Sequence, residues 1–499
     1  MPIVKNRGLG SWPQRRARMT PHRIALTDGE QTITYQTLAD RSAALANAFR
    51  GLGIRAGDRV AYLGPNHSTY FDVLFGATAL GAIMVPINTR LAAPEVRYVL
   101  SDSGADVIVA APTHEGVLGN ALAGSEGHRV ISTGLELDEM IESAHRTWVD
   151  DEVALDDVAI IMYTSGTTGR PKGAMLTHGN LTWNIANVLI DLDLRHDELA
   201  LIVAPLFHIA ALAMISLPIL VKGGTLLLQP GFEPTAALEL IENYGVTQMF
   251  GVPTMFNLMA KTETWADADI SSLRAVMCGG APVPKATIET YLERGIVFLQ
   301  GYGMTETAPG LLFLDGPSST TKAGSAGVPS FFTDVRLVDP TMQDVAAGER
   351  GEVLAAGPNV MKGYWQRPGE TSRSFNDGWF HTGDVATRDD DGYYTIVDRV
   401  KDIIISGGEN IYPAEIEDAL LFHPAVAEAA VIGVPNDQWG EVGRAIVVLR
   451  EKVTEEELMA FLEERLARYK LPKSIVFTDD LPKSGAGKIL KRSLRERYP

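Results

Sequence analysis

Strand-like and helix-like segments alternate along residues 24–160, and this alternation limits the possible folds more than any other feature of the sequence. Residues 35–50 have apolar side chains near one face of a helix. Apolar runs at residues 58–63 and 82–87 predict strands that flank a second helix. Such alternation indicates α/β layers with a largely parallel sheet, and we expect the less regular residues 111–157 to form a connection.

The same alternation resumes after residue 230, where two predicted strands end in glycine-containing turns. Residues 273–277 lead into a turn at 278–282, and residues 297–300 lead into a second turn at 301–306. Open parallel sheets bind ligands beyond the carboxyl ends of their strands. We therefore expect both turns to line one crevice.

A loop rich in glycine and hydroxyl side chains, at residues 163–173, follows an apolar run at 158–162 that predicts a buried strand. Backbone N–H groups, hydroxyls and the single cation Lys172 are suited to a polyphosphate. The loop does not fit the Walker pattern, because the position five residues after Gly166 is Pro171. Taken alone, the cluster is more typical of a surface turn than of a ligand site.

The chain of 499 residues is long enough for about three domain-sized units. Glycine, aspartate and short β segments after residue 324 predict a β-rich subdomain, and the last hundred or so residues predict a smaller α+β unit. In that unit, Thr454 and Glu457 fit a helix capping box. Residues 201–221 carry no Asp, Glu, Lys or Arg, but two prolines interrupt them, so we favour a strand–loop–helix over a membrane helix.

The composition restricts the partners and the compartment of the protein. A net charge of −18 argues against a nucleic-acid partner. The single cysteine, Cys278, excludes an intramolecular disulfide and a thiolate metal cluster, and it favours a reducing cytoplasm. An acidic protein that binds a polyphosphate must build a local positive site, which increases the interest of Lys172.

Taken in order, the motifs resemble those of the acyl-adenylate-forming family, which includes acyl-CoA synthetases, peptide-synthetase adenylation domains and firefly luciferase. The resemblance extends over essentially the whole chain. In this family a carboxylate attacks the α-phosphate of ATP to give an acyl-adenylate and pyrophosphate, and the thiol of coenzyme A then displaces AMP. The segments that carry the resemblance are 163–173, 205–208, 279–282, 302–306, 382–384, 398–401, 406–410 and 484–488.

The resemblance implies an α/β fold with a large N-terminal domain of layered α/β subdomains plus a β-rich subdomain, followed by a small mobile α+β C-terminal domain. We expect the large ATP- and acyl-binding domain at residues 1–398, a hinge at 399–401 and the lid domain at 402–499. Lys401 would be the hinge residue between the two half-reactions. The residues expected beside the coenzyme A channel are Ser406, Gly407, Gly408, Glu409 and Asn410.

By the same resemblance, each group of ATP and of the acid has its own predicted partners. Lys488 would bridge the substrate carboxylate and the α-phosphate, Thr305 would touch that phosphate, and Glu306 would hold Mg²⁺. His208 would lie beside the acyl carboxylate, although not as the general base. The predicted phosphate ligands are Thr164, Ser165, Gly166, Thr167, Thr168, Gly169 and Lys172. The predicted adenine neighbours are Gly280, Ala281 and Tyr302, and Pro282, Gly301 and Gly303 are further predicted nucleotide-binding residues. The predicted ribose ligands are Asp384 and Arg399.

The predicted acyl pocket is apolar and has small residues near its reactive end. Its segments show no Arg or Lys that could bind a second carboxylate, which favours a hydrophobic monocarboxylate. Further stretches, such as residues 62–66, are similar to those of actinobacterial feruloyl-CoA synthetases and fatty acyl-CoA ligases. The residues expected to line the pocket are Ala210, Met214, Gly251, Met277, Gly279, Pro309 and Gly310.

We therefore expect an acid–thiol ligase that uses ATP, Mg²⁺ and coenzyme A, with an arylpropenoic acid such as ferulate ranked first. Medium- or long-chain fatty acids and bulky terpenoid or polyketide acids are the alternative substrates. Two other classes stay open: a free-standing adenylation enzyme that loads a carrier protein, and a non-catalytic nucleotide-binding or membrane protein. A homodimer is compatible with the sequence, which does not determine the oligomeric state.

Overall fold

The computed structural model divides into two compact units. Unit 1 comprises Met1–Val335 and Ala355–Phe380, and unit 2 comprises Arg336–Leu354 and His381–Pro499. Unit 2 thus begins earlier in the chain than the predicted lid domain, and the predicted hinge at 399–401 stays a prediction. The residues that the structure describes are 5–164, 171–280, 283–399, 402, 404–406, 409–436, 439–466, 468–484 and 488–499.

Helix α2, which was predicted at residues 35–50, matches its prediction to within one residue. The helices of unit 1 are α1 (Trp12–Met19), α2 (Tyr35–Gly51), α3 (Ser68–Ala79), α4 (Ala93–Ser103), α5 (Glu115–Leu122), α6 (Leu135–Ser143), α7 (His178–Asp191), α8 (Leu217–Lys222), α9 (Pro234–Tyr244), α10 (Pro253–Met259), α11 (Lys285–Leu292) and α12 (Pro368–Ser374). Those of unit 2 are α13 (Pro413–Leu421), α14 (Glu455–Glu463) and α15 (Lys491–Arg497).

The strands of the described residues form four sheets. In chain order they are β1 (Ile24–Asp28), β2 (Gln31–Thr34), β3 (Arg59–Leu63), β4 (Ile83–Pro86), β5 (Val107–Ala110), β6 (Arg129–Ser132), β7 (Val158–Thr164), β8 (Lys172–Thr177), β9 (Leu199–Ile202), β10 (Thr225–Leu228), β11 (Gln248–Gly251), β12 (Ala275–Gly279), β13 (Val297–Gly303), β14 (Gly310–Leu314), β15 (Val328–Pro329), β16 (Asp334–Val338), β17 (Gly351–Ala356), β18 (Gly363–Tyr364), β19 (Phe375–Asn376), β20 (Trp379–Arg388), β21 (Tyr394–Arg399), β22 (Ile404–Ser406), β23 (Glu409–Ile411), β24 (Val426–Asn436), β25 (Gly440–Leu449) and β26 (Ser474–Phe477).

Two of these sheets form the layered body of unit 1. The first has the order β15-β14-β13-β12-β11-β9-β10-β1-β2, and the second has the order β18-β8-β7-β4-β3-β5-β6. Their central strands run parallel, whereas β2, β14, β15, β8 and β18 add antiparallel edges. The prediction of α/β layers with a largely parallel sheet is therefore confirmed.

Buried side chains on the first sheet pack against the helices that follow its strands. Phe256, Tyr291 and Phe298 meet in edge-to-face contacts with ring centroids 5.4–5.5 Å apart. They belong to a core cluster that also holds Val276 and Cys278 of β12. Aromatic burial of this kind dominates core energetics and holds the strand ends rigid.

Unit 2 contains the predicted α+β element. Strands β23, β22, β25 and β24 form one sheet, with β26 paired to β25, and α13 and α14 contribute to its core. The capping box is confirmed, because Thr454 accepts a bond from the N–H of Glu457 while the Glu457 carboxylate accepts one from the N–H of Thr454. Helix α14 begins at Glu455, directly after this cap, and ends at Glu463.

Two local expectations have different outcomes. Residues 111–157 are more than a connection, because they form α5, β6 and α6, and β6 pairs with β5 at the edge of the second sheet. Their elements are short and partly polar, which hides the periodicity. Residues 201–221 form the end of β9, a π-helix at Ala211–Ser216 and α8, as the strand–loop–helix prediction requires. Among the residues described, no helix has the length and hydropathy needed to cross a membrane.

Candidate active site

The 163–173 loop joins two antiparallel strands at one end of the second sheet. Tyr163 pairs with Gly173, and Thr164 pairs with Lys172, so the described ends of the loop face each other across the β7–β8 ladder. A Cβ atom on Gly173 would lie 2.5 Å from Cγ2 of Ile161, which explains the glycine at this position. The predicted phosphate ligands Ser165, Gly166, Thr167, Thr168 and Gly169 lie outside the described residues.

The structure brings Thr164 and Glu306 together, although they are far apart in the sequence. The hydroxyl of Thr164 donates to Oε1 of Glu306 over 3.3 Å, and the hydroxyl of Tyr364 donates to the same oxygen over 3.0 Å. Glu306 and Tyr364 are each only 9% exposed. Burial and the Glu306 charge raise the pKa of Tyr364, which keeps its hydroxyl protonated and able to donate.

Lys172 lies against the same short segment that supplies Tyr364. Its Nζ forms an ion pair with Glu370 and lies 5.2 Å from the centroid of the Tyr364 ring. Arg367 of this segment pairs with Asp102 at 2.8 Å, and Tyr163 donates to the other oxygen of that carboxylate, also over 2.8 Å. Asp102 therefore ties Tyr163 to the segment formed by β18 and α12, and Glu370 of that segment ties Lys172 to it.

Sequence reasoning missed Tyr364 and Glu370 entirely. They lie in a polar stretch around Pro368 that has no motif of its own. Their importance depends on contacts with Glu306 and Lys172, which are distant in sequence, so no local signal points to them.

Glycine at 303 is required by the turn that carries Thr305 and Glu306. A Cβ atom on Gly303 would lie 1.6 Å from the carbonyl oxygen of Pro309, far closer than any side chain allows. The same carbonyl oxygen accepts a 2.7 Å bond from the hydroxyl of Thr307. Residues 305–307 form one 3₁₀ turn, so Glu306 is held on a rigid backbone.

The predicted adenine neighbours lie at the ends of adjacent parallel strands. Gly279 of β12 pairs with Gly301 of β13, and a Cβ atom on Gly279 would lie 3.0 Å from the Gly301 carbonyl oxygen. Gly280 follows with φ +86°, a conformation that favours glycine. Tyr302 lies further along β13, whereas Ala281 and Pro282 lie outside the described part of the chain.

His208 lies in a tight turn that two other residues hold in place. Asn66 accepts a 2.8 Å bond from the N–H of Leu206, and the hydroxyl of Tyr70 donates to the Leu206 carbonyl over 2.9 Å. Burial, together with the charge of Arg90, lowers the pKa of His208 to about 4. Its buried Nε2 atom has no hydrogen-bond partner among the described residues. His208 is therefore neutral near pH 7 and is a weak base, consistent with the predicted non-basic role.

Several predicted acyl-pocket residues lie close together in unit 1. A Cβ atom on Gly310 would be 3.5 Å from the sulfur of Met214, so these two positions face each other. Gly251 pairs with Cys278 on neighbouring strands, while Met277 pairs with Phe250. Pro309 precedes Gly310, and Ala210 precedes the π-helix that carries Met214.

In unit 2, the two predicted ribose ligands are cross-strand neighbours. Asp384 of β20 pairs with Arg399 of β21. Asp384 is buried, and its backbone N–H donates to the hydroxyl of Thr382 over 3.1 Å. The Thr382 hydroxyl donates in turn to the carbonyl of Val353 over 2.8 Å, which fixes this turn.

The other predicted residues of unit 2 that the structure describes are Lys488, Ser406, Glu409 and Asn410. Lys488 is exposed, and its backbone closes a small loop with Ser484 through bonds of 2.7 and 3.2 Å. Ser406 pairs with Glu409, and Asn410 follows in β23. Lys401, Gly407 and Gly408 lie outside the described residues. The roles assigned to all these side chains stay predictions.

Glu306 fits the predicted magnesium site. Both hydroxyl donors use its Oε1 atom, which leaves Oε2 outside these two bonds. Within the described ranges there is no cluster of three or more His, Cys, Asp or Glu side chains for a metal. A single carboxylate is sufficient for Mg²⁺, which is typically held by one or two carboxylates, water and substrate phosphates.

The chain matches the AMP-binding enzyme family over residues 13–365 and the AMP-binding enzyme C-terminal domain over residues 415–488. It is 55% identical to a feruloyl-CoA synthase of Amycolatopsis sp, over 99% of this chain and 100% of that protein. It is 39% identical to the long-chain-fatty-acid–CoA ligase FadD13 of Mycobacterium tuberculosis, over 99% of each chain. The structure of o-succinylbenzoate coenzyme A synthetase from Bacillus subtilis, in complex with ATP and a magnesium ion, matches with a TM-score of 0.88 and 35% identity, covering 97% of this chain and 98% of that one.

Proposed function

Because the chain belongs to the AMP-binding enzyme family, we propose that it is an AMP-forming acid–CoA ligase for ferulate-like arylpropenoic acids. The observation that carries this proposal is the 55% identity, over 99% of the chain, to feruloyl-CoA synthase. The acidic composition and single cysteine of the chain favour action in a reducing cytoplasm. The small and apolar positions Gly310 and Met214, which face each other, suit a planar hydrophobic acid.

In the first half-reaction, a carboxylate oxygen of the acid bonds to the α-phosphorus of ATP, and the bond to the pyrophosphate oxygen breaks. Negative charge increases on the phosphate oxygens, so positioned donors contribute most of the catalysis. We assign Lys488 and Thr305 to the α-phosphate, and Lys172 to the departing pyrophosphate. A bound Mg²⁺ would neutralise phosphate charge, with Glu306 as its protein ligand.

In the second half-reaction, the thiolate sulfur of coenzyme A bonds to the acyl carbon, and the bond from that carbon to the AMP oxygen breaks. We assign the 406–410 turn to the coenzyme A side and Lys401 to the hinge that precedes it. Neutral His208 lies on the acyl side, where its low pKa prevents a fixed positive charge next to the carboxylate. This favours its action as a hydrogen-bonding group.

The test is ATP–pyrophosphate exchange with ferulate, 4-coumarate, cinnamate, dodecanoate and palmitate, followed by thioester analysis after addition of coenzyme A. We expect ferulate to give the highest kcat/KM and feruloyl-CoA as the product. A higher kcat/KM for palmitate would favour the alternative suggested by the 39% identity to FadD13. Exchange without thioester formation would favour a carrier-protein acceptor, and no exchange with any acid would contradict the proposal.

A further inference from the structure

Helix α7 has three buried asparagines on one face, where apolar side chains would be expected. Asn180, Asn184 and Asn187 follow a spacing of four and three residues, and they are 8%, 0% and 1% exposed. A buried amide is costly unless its donors and acceptor are bonded. Each of these three amides is bonded to a different irregular segment of unit 1.

Asn184 joins two segments that each carry a predicted acyl-pocket residue, and we call these segments the Met214 wall and the Gly310 wall. Its Oδ1 accepts a 2.9 Å bond from the N–H of Gly310, and its Nδ2 donates over 2.9 Å to the carbonyl of Ala213. Gly310 begins β14, and Ala213 lies in the π-helix beside Met214. The side chain of Asn184 therefore donates a hydrogen bond to the Met214 wall and accepts one from the Gly310 wall.

A second buried amide holds the same Gly310 peptide from its other side. Nδ2 of Asn359 donates to the carbonyl of Gly310 over 2.7 Å and to the carbonyl of Thr307 over 2.9 Å. Its Oδ1 accepts a 3.0 Å bond from the hydroxyl of Thr333. Asn359 therefore ties the Gly310 wall to Thr307 and Thr333, and Asn184 links the same wall to the π-helix.

The two walls are so close that a small displacement of either wall would change the space between them. A Cβ atom on Gly310 would lie 3.0 Å from Oδ1 of Asn184 and 3.5 Å from the sulfur of Met214. A misplacement of about 1 Å at a reacting centre can change rates roughly 100-fold. We propose that Asn184 is a positioning residue that sets the separation of the Met214 and Gly310 walls, and thereby the width of acid that the enzyme accepts.

The inference rests on the proposed function, since it assumes that these walls enclose the acid. It does not require Asn184 to touch the acid or ATP. A purely structural role would lower the stability of the protein while leaving the preference among acids unchanged. The two possibilities can therefore be separated by measuring preference and stability in the same variants.

Asn180 provides a matched control on the same helix face. Its Nδ2 donates to the carbonyls of Pro358 and Val360 at 2.8 and 2.7 Å, and neither belongs to the predicted acyl walls. These two residues flank Asn359, so a change at Asn180 reaches the Gly310 wall only indirectly and should shift the preference among acids less than a change at Asn184. Asn184→Asp and Asn180→Asp make the same chemical change. Each replaces an amide NH₂ group that donates to a main-chain carbonyl by a carboxylate oxygen that cannot donate. Asn184→Ala is a second variant that removes both bonds without adding a charge.

The experiment measures thermal stability, the KM for ATP, and kcat and KM separately for ferulate and for dodecanoate. We expect both Asp variants to lose stability, but only the changes at Asn184 to raise the KM for ferulate about ten-fold, the size of one lost hydrogen bond. They should also shift the ferulate-to-dodecanoate ratio, while the KM for ATP stays within about two-fold. Folded Asn184 variants with the wild-type ratio would overturn the inference, as would an equal shift in Asn180→Asp. If the wild-type protein activates neither acid, it is the proposed function that fails.

Discussion

Replacing Tyr364 by Phe removes a single hydroxyl group from a buried contact with Glu306. The bond is 3.0 Å long, and both side chains are 9% exposed, so water has little access to replace it. A hydrogen bond to a charged group contributes about 1.5–3 kcal/mol. If that energy orients the carboxylate in the transition state, adenylation should slow about 10- to 100-fold.

The assay is ATP–pyrophosphate exchange at a series of Mg²⁺ concentrations. With one donor lost, Glu306 keeps the longer bond from Thr164 among the described residues, so its carboxylate is less well oriented. We therefore expect the variant to need a higher Mg²⁺ concentration for half-maximal exchange, in addition to its lower maximum. The KM for the acid should change much less, because Tyr364 does not belong to the predicted acyl walls.

Tyr291→Phe is the control for this prediction. The Tyr291 hydroxyl is also buried and also donates over 3.0 Å, but its acceptor is the main-chain carbonyl of Phe256 in the core. It should lower the free energy of unfolding by about 1 kcal/mol and leave exchange within about two-fold of wild type. Equal effects of the two substitutions on exchange, or a wild-type Mg²⁺ dependence in Tyr364→Phe, would refute the reasoning.

Three further predictions concern charged groups. Glu370 forms an ion pair with Lys172 and so competes with the phosphates of ATP for this cation. Glu370→Gln should therefore lower the KM for ATP about three-fold, and this effect should vanish in a Lys172→Ala background. Persistence of the effect without Lys172 would show that Glu370 acts in another way. His178 is fully buried and its Nδ1 accepts a 3.0 Å bond from the N–H of Leu9, and burial lowers its pKa from 6.5 to about 4. The stability that neutral His178 contributes is therefore complete above pH 6.5, and the free energy of unfolding, measured by chemical denaturation, should fall by about 3 kcal/mol between pH 6.5 and 4. The substitution His178→Asn should flatten this part of the pH profile. An unchanged slope would contradict the assignment. The substitution Lys488→Ala should abolish adenylation but leave thioester formation from supplied acyl-adenylate. By comparison, Lys172→Ala should slow adenylation less, and Lys401→Pro should mainly impair the thioester step. A larger loss of adenylation in Lys172→Ala than in Lys488→Ala would be evidence against this division of roles.

The layered architecture is predictable because helix and strand periodicities are local properties of the chain. Helix α2 and strand β3 illustrate this, since their apolar positions and their ends can be read within about a dozen residues. The edge element around β6 is not predictable in the same way. Its burial depends on pairing with β5, and its own four residues are only partly apolar.

The site shows the same distinction between features that are local in the sequence and features that depend on distant residues. Thr164 and Glu306 each belong to a recognisable motif, so their proximity could be expected before the fold was known. Tyr364 bonds to Glu306, and Asn184 bonds to Gly310 of the predicted acyl pocket, through contacts that span more than fifty and one hundred residues of sequence, respectively. Neither carries a local pattern that distinguishes it from an ordinary core tyrosine or a polar helix residue. The contacts that orient a motif are tertiary. For this reason the motif can be recognised from the sequence, whereas the distant residues that orient it cannot.

The most direct test of the central claim follows the oxygen atoms of the acid. Ferulate labelled with ¹⁸O at both carboxylate oxygens is incubated with the protein, ATP, Mg²⁺ and coenzyme A, and the nucleotide product is analysed by mass spectrometry. Attack of the carboxylate on the α-phosphorus requires one ¹⁸O atom to appear in AMP and the other to remain in the thioester carbonyl. Formation of ADP with ¹⁸O in inorganic phosphate, or of AMP without the label, would contradict the acyl-adenylate mechanism.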